Sequence, residues 1–178
     1  MIIPSLQTRI DQISNPKLRE ACQGLHTGQF NRWPASLKFH HTHTKGLLDH
    51  TLEVFGIADH LGKFMGADMD VLLTAALWHD VAKTKEYTYN DETGEGPFFK
   101  YSGNYQKRIH HINGGAAMFC HQAWLAGVPE PTIEAVMHCI LAHHGPVKDW
   151  GSPVAPQTLE ALILHQADML SAHYGPTR

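Results

Sequence analysis

Cysteine is scarce. The 178 residues hold three, Cys22, Cys120 and Cys139, and none stands in a CxxC spacing. That excludes a disulfide framework and a cysteine-built zinc site, and predicts reduced, buried thiols. Charge is sparse as well. Charged residues make up 17% of the chain, and 14 Lys+Arg against 17 Asp+Glu give a formal −3 with no run of either sign. No global field gathers nucleic acid, which leaves only a local patch for that purpose. Long apolar runs are missing too. The stretch VLLTAALW is far shorter than the roughly 20 residues of a membrane span. The opening MIIPSLQTRIDQ has no basic segment followed by an apolar one, so no secretory signal is read and the cytoplasm is the expected location.

The chain is rich in histidine. Fifteen histidines outnumber Lys and Arg together. Neutral imidazole is the commonest metal ligand, so this bias points first to metal chemistry. With 43% hydrophobic residues, a chain of this length can bury a core, and residues 1–178 are expected to form a single domain.

Most of the chain reads helical. Leu6, Ile10 and Ile13 recur at helical spacing over 5–14, and Asn15-Pro16 caps a second helix running to about Thr27. Residues 28–45 read as a loop holding Phe39, His40, His41, Thr42 and His43. A helix with a wide apolar stripe spans 46–65, and Asp68 caps the next, from Met69 to His79 and beyond. Alternating aromatics around Asp-Glu-Thr-Gly make 85–103 a small β-hairpin or an ordered loop. Further helices are expected over about 105–126, 130–143 and 157–174. The expected fold class is therefore all-α. Trp33, Trp78 and Trp124 read as core. Tyr87, Tyr89, Phe98, Phe99 and Tyr101 read as hairpin packing, with base stacking the alternative.

The candidate ligands lie at helix ends. His79-Asp80 closes an apolar helix, and His50 sits on the helix before it. His143-His144 closes another helix next to Gly145. Asp168 interrupts an otherwise apolar helix, where a carboxylate is costly unless paired or bound to a cation. Mixed His and carboxylate donors suit Mn, Fe, Ni or Co, and less specifically Zn or Mg.

The order His50, His79-Asp80, His111, His143-His144, Asp168 resembles the HD superfamily of metal-dependent phosphohydrolases. The segments PASLKFHHTHTKGLLDHTLEV, AALWHDVAKTKEY, HHINGGA, LAHHG with GSPV, and LEALILHQADMLSA extend the likeness. They resemble the HD domain of 3′→5′ exoribonucleases of the YhaM type, over roughly residues 12–172. The fold so implied is an HD-domain helical bundle with its metal-binding core at about 40–172.

The resemblance implies that His50, His79, Asp80 and Asp168 hold one divalent transition metal. His111, His143 and His144 would hold a second, shared through Asp80, so one or two ions are expected. His110 competes with His111, and spacing to Gly115 favours His111. Asp80 and Lys83 are the expected catalytic residues, Lys83 matching an HD-x-x-K pattern one helical turn after His79. Lys83, His41 and Arg108 are expected to contact substrate. His165, one turn before Asp168, is expected to orient a ligand.

The implied reaction is hydrolysis of short single-stranded RNA or oligonucleotides, 3′→5′, by a metal-activated water. Two other readings stand beside it. One is a nucleotide phosphatase or cyclic-nucleotide phosphodiesterase. The other is a non-catalytic metal-binding module of a larger nucleic-acid or mobile-element assembly. The Gly-Tyr-Pro signature of the cyclic-di-GMP phosphodiesterases is absent. No OB-type nucleic-acid-binding module, usual in the exoribonucleases, is read here, so a separate partner would have to supply that surface; self-association into a homo-oligomer is a further expectation for a compact bundle.

Overall fold

Local chemistry sets the helix ends. In the computed structural model, which describes residues 4–25, 30–90, 98–146 and 151–175, helices α1 (Pro4–Ile10) and α2 (Pro16–Gln23) come first. The Asn15 side chain accepts from the Lys17 and Leu18 N–H groups to start α2. The long α3 (Gly46–Met65) stops at Gly66 in the left-handed region. Asp68 then caps α4 (Met69–Trp78) by accepting from Asp70 and Val71. The short α5 (Lys83–Glu86) leads into β1 (Tyr87–Asn90) and β2 (Phe98–Tyr101). After α6 (Tyr105–Arg108) come α7 (His111–Leu125), α8 (Glu130–Ala142) and α9 (Leu159–Tyr174).

The expected helical bundle with a small hairpin is what forms. The two strands pair antiparallel, with Tyr87 opposite Tyr101 and Tyr89 opposite Phe99. The Asp-Glu-Thr-Gly turn expected between them lies outside the described residues.

Helix α4 occupies the centre. Every residue from Val71 to Trp78 is buried, which accounts for a run apolar on all sides rather than on one stripe. It packs against α3, α8 and α9, and more lightly against α2 and α7. Its C-terminus therefore delivers His79 and Asp80 into the core instead of to the surface. Trp78 (1% exposed) meets Phe119 of α7 edge to face, with ring centroids 5.9 Å apart. Gly115 permits that approach: a Cβ there would lie 3.2 and 3.3 Å from the carbonyl oxygens of Trp78 and His79.

Three expectations are corrected. The first helix ends at Ile10, because Ile13 N–H turns back to the Ile10 carbonyl in a tighter turn. The helix over 105–126 is two, broken where His110 adopts φ +67. There the Glu86 carboxylate accepts the His111 N–H at 2.6 Å and caps α7 from another element. Trp124 is not core but 74% exposed on the last turn of α7, while Trp33 is half-buried against the core. No helix among the described residues is long and apolar enough to cross a membrane.

Two outcomes follow from this core. Phe119→Ala should cost about 3–5 kcal/mol in urea denaturation, the usual range for an aromatic core truncation; a loss under about 1 kcal/mol would contradict the packing. Burial pushes the Cys22 and Cys139 thiols up to about 12. Both should therefore resist iodoacetamide at pH 8 until the protein is unfolded, as mass spectrometry of the alkylated peptides would show.

Candidate metal centre

Asp80 is 1% exposed and lies in the turn after α4. Four imidazoles converge on it. His50 Nε2 and His79 Nε2 each lie 3.5 Å from Asp80 Oδ2. His111 Nε2 and His143 Nε2 lie 3.5 and 3.6 Å from Oδ1. Each oxygen of one carboxylate thus faces its own pair of rings.

The opposite edge of every ring is anchored. His79 Nδ1 meets the Ala76 carbonyl at 2.8 Å, and His143 Nδ1 meets that of Ile140 at 2.7 Å. A carbonyl only accepts, so both Nδ1 atoms donate, and in the neutral ring Nε2 carries the lone pair. Each of these histidines ends its helix and caps a carbonyl of its own last turn. One local device is used twice. His111 Nδ1 donates to Glu86 Oε2 at 3.2 Å. His50 Nδ1 lies 2.9 Å from Ser171 Oγ, whose hydroxyl donates to Glu53 Oε2 at 2.9 Å. That leaves the His50 ring to donate from Nδ1 and to present Nε2. Such partners fix the tautomer and aim of a metal ligand.

The donor set fits a cation. His111 Nε2, His143 Nε2 and Asp80 Oδ1 are buried without a hydrogen-bond partner, and orphaned buried polar atoms demand an explanation. His50 Nε2 and His79 Nε2 stand 3.4 Å apart. Two lone pairs at that distance repel unless a positive charge lies between them. Two groupings with ligand atoms within 4.8 Å of one another share Asp80: His50, His79 and Asp80, and Asp80, His111, His143 and His144. Asp168 adds Oδ1 at 3.0 Å from His50 Nε2.

Electrostatics keeps the donors ready. Burial pushes His79 down to about 4 and His144 to about 3, and takes His111 well below its ordinary value, so these rings are neutral at pH 7. Burial alone would raise Asp80, but Lys83 and the histidines outweigh it and hold the carboxyl well below the usual range. Asp168 is likewise held low, against its burial, by His50 above all. His143 is raised, because the Asp80 and Asp168 carboxylates outweigh its burial.

The cluster opens into a cavity of about 300 Å³ lined by His40, Lys83, Tyr101, His111, His144 and Asp168, among others. Lys83 begins α5 and sets Nζ 2.6 Å from Asp80 Oδ2. It reaches the site through a turn and a new helix, since α4 does not continue past Trp78.

Among the expected substrate contacts, two stand elsewhere. His41 is fully buried, with Nε2 3.2 Å from Glu53 Oε2, and its neighbour His40 lines the cavity in its place. His41 takes positive φ, and the two rings still meet edge to face with their Nδ1 atoms 3.0 Å apart. Arg108 is exposed on α6, and Gln106 of the same turn faces the cavity instead. His165 bonds the His143 carbonyl at 2.9 Å and so steadies the end of α8. Between His110 and His111, it is His111 that reaches Asp80, while the His110 ring lies against it at 4.3 Å.

Sequence reasoning missed Glu53, Glu86, Ser171 and His40. Glu53 and Ser171 each follow a candidate ligand, His50 and Asp168, by three residues on a helix. That one-turn spacing was a usable signal. Glu86 had none, because its link to His111 exists only once the hairpin has folded back.

The HD domain family profile matches residues 47–173, well over half of the chain. The chain belongs to the HD domain family. The likeness to metal-dependent phosphohydrolases read from the motifs holds at that level. The chain is 29% identical over 167 residues to the 3′-5′ exoribonuclease YhaM of Bacillus subtilis (strain 168), covering 92% of this chain and 51% of that protein. It is 28% identical over 175 residues to the protein of the same name from Bacillus pumilus, covering 96% and 53%. The chain spans about half the length of the curated relatives it matches. The comparison with solved structures gave no match.

Acid should destabilise the metal-free protein. The folded values of His79 and His144 lie below the unfolded value near 6.5, so between about 6.5 and 4 these two sites bind more protons in the unfolded chain and outnumber the one opposing site, Glu86, which burial raises to about 7. Stability then rises with pH in that window and is lost as pH falls through it. Urea midpoints measured from pH 7 to 4 should decline, and a flat profile would contradict neutral buried rings. Ser171→Ala should weaken divalent-metal binding by about 10- to 100-fold, the usual effect of removing a ligand's orienting partner, as titration calorimetry would measure.

Proposed function

We propose that this HD domain is a metal-dependent phosphohydrolase that cleaves short single-stranded RNA or oligonucleotides from the 3′ end, releasing 5′-mononucleotides. The observation that carries it is the buried Asp80 carboxylate, faced by four oriented Nε2 atoms and opening onto a cavity with a lysine in its wall. The names of the exoribonuclease relatives supply the direction and the substrate.

His50, His79, Asp80 and Asp168 would hold one divalent ion, and Asp80, His111, His143 and His144 a second. The mixed donors favour Mn, Fe, Ni or Co over a thiolate-seeking metal. When bound, such an ion supplies an activated water and offsets charge on a phosphoryl oxygen.

The chain's own residues prepare that chemistry. Asp80 stays ionised, because Lys83 and the surrounding rings oppose its protonation. Lys83 keeps its ammonium, since Asp80 outweighs the burial that would neutralise it. A phosphodiester entering the cavity meets that charge directly. Ser171, Glu53 and Glu86 hold the imidazoles in register, so no ligand has to be reoriented when substrate arrives. The overall step adds water across the P–O3′ bond: the oxygen remains on the 5′-phosphate, and the released 3′-oxygen takes a proton.

A time course on 5′-labelled single-stranded RNA with Mn²⁺ should give a descending ladder. Asp80→Asn should lower the rate by about 10³-fold or more, equivalent to ~4 kcal/mol of transition-state stabilisation, and Lys83→Ala by roughly 10²-fold. RNA left intact while a mononucleotide is dephosphorylated would replace this reading with a nucleotide phosphatase. Absence of both activities in the metal-loaded native chain would indicate a binding module.

A further inference from the structure

An aromatic wall stands beside the metal cluster. Tyr101 on β2 is 47% exposed and Phe39, in the loop before α3, is 78% exposed; both line the cavity that Lys83 and Asp168 also line. Tyr101 is braced from behind. Its ring lies 5.6 Å from that of Tyr87, which is 5% exposed and donates its hydroxyl to the Ala35 carbonyl at 3.3 Å. Trp33 follows at 6.4 Å from Tyr87, and Phe99 at 5.9 Å from Trp33. Hairpin packing therefore accounts for Tyr87 and Phe99, but not for the outward face of Tyr101.

The Phe39 loop is pinned as well. Ser36 Oγ accepts from the Lys38 and Phe39 N–H groups at 3.2 and 3.1 Å, and Ala35 N–H donates to the His41 carbonyl at 3.0 Å. A single exposed aromatic needs no explanation. Two on held backbone, in the wall of one cavity that also carries a buried ammonium, make a site for a flat apolar group joined to an anion. Gln106, in the same wall, offers an amide that both donates and accepts.

We infer that Tyr101 and Phe39 form the subsite for the nucleobase of the nucleotide being removed, and that they select unpaired 3′ ends. This rests on the phosphohydrolase reading above for the position of the scissile phosphate. Base–aromatic stacking tolerates any base, because every base has a π-face. A base inside a duplex already has both faces covered, so only an unpaired terminal base has a face free to lie against these rings.

The test has two arms on the full chain. In the first, strands ending in an ordinary nucleotide and in an abasic one are compared with Mn²⁺. The native chain should prefer the base-bearing end in kcat/KM by about 5- to 100-fold, the range for loss of one stack. Tyr101→Ala and Phe39→Ala should each pull that ratio toward one, and Tyr101→Trp should keep it. In the second, a strand carrying the fluorescent base analogue aminopurine at its 3′ end is titrated with protein lacking added metal. Fluorescence should be quenched by the native chain and by Tyr101→Trp, and much less by Tyr101→Ala. Quenching without cleavage would leave the subsite standing and remove the exonuclease reading. Cleavage with equal rates on both ends, or quenching unchanged in Tyr101→Ala, would overturn the subsite and leave the exonuclease reading intact.

Discussion

A buried carboxylate is the constraint on which the rest of this structure depends. Asp80 has almost no contact with solvent, and an isolated charge in that position is prohibitively costly. Lys83 answers one oxygen, and four imidazoles face the two together. Burial drives His79 and His111 toward the neutral form, so these two rings face the carboxylate as lone-pair donors rather than as simple ion pairs. The arrangement gathers negative charge and lone pairs in one place, a donor set that could hold a divalent cation.

The helical architecture supplies both halves of that arrangement. A helix buried on every side must end inside the molecule, and the end of α4 is where His79 and Asp80 stand. Capping the last turn with the histidine's own Nδ1 satisfies a carbonyl that no water can reach and turns Nε2 outward. The end of α8 repeats the solution with His143. Helices α3 and α9 bring His50 and Asp168 together from opposite ends of the sequence, and Ser171 and Glu53 lock that meeting by hydrogen bonds across the same two helices. The metal-ligand geometry and the packing of the bundle are thus one structure, and Gly115 shows how closely they are joined.

The hairpin has a different role from the bundle. Among the described residues, its strands place no side chain in the clustered His and Asp donors. Glu86, just before it, starts α7 and orients His111, while its strands carry the aromatic rings that form one wall of the cavity. Family membership rests on a match over residues 47–173 as a whole. The wall is where this chain has room to define what it accepts, because a stacking surface is set by side chains rather than by the fold.

Helix content and the caps at Asn15 and Asp68 were determined by the sequence itself, because each depends on periodicity or on hydrogen bonding within a few residues. So was membership in the HD family, whose motifs are contiguous. The break at His110, the burial of His41, the withdrawal of Arg108 and the supporting parts of Glu53, Ser171 and Glu86 were decided only by the tertiary structure. Each rests on a contact between elements far apart in the chain: Glu86 with His111, His50 with Ser171, His41 with Glu53. Residue spacing specifies which face of a helix a side chain occupies, but not which element will lie against that face; only packing of the whole chain decides that.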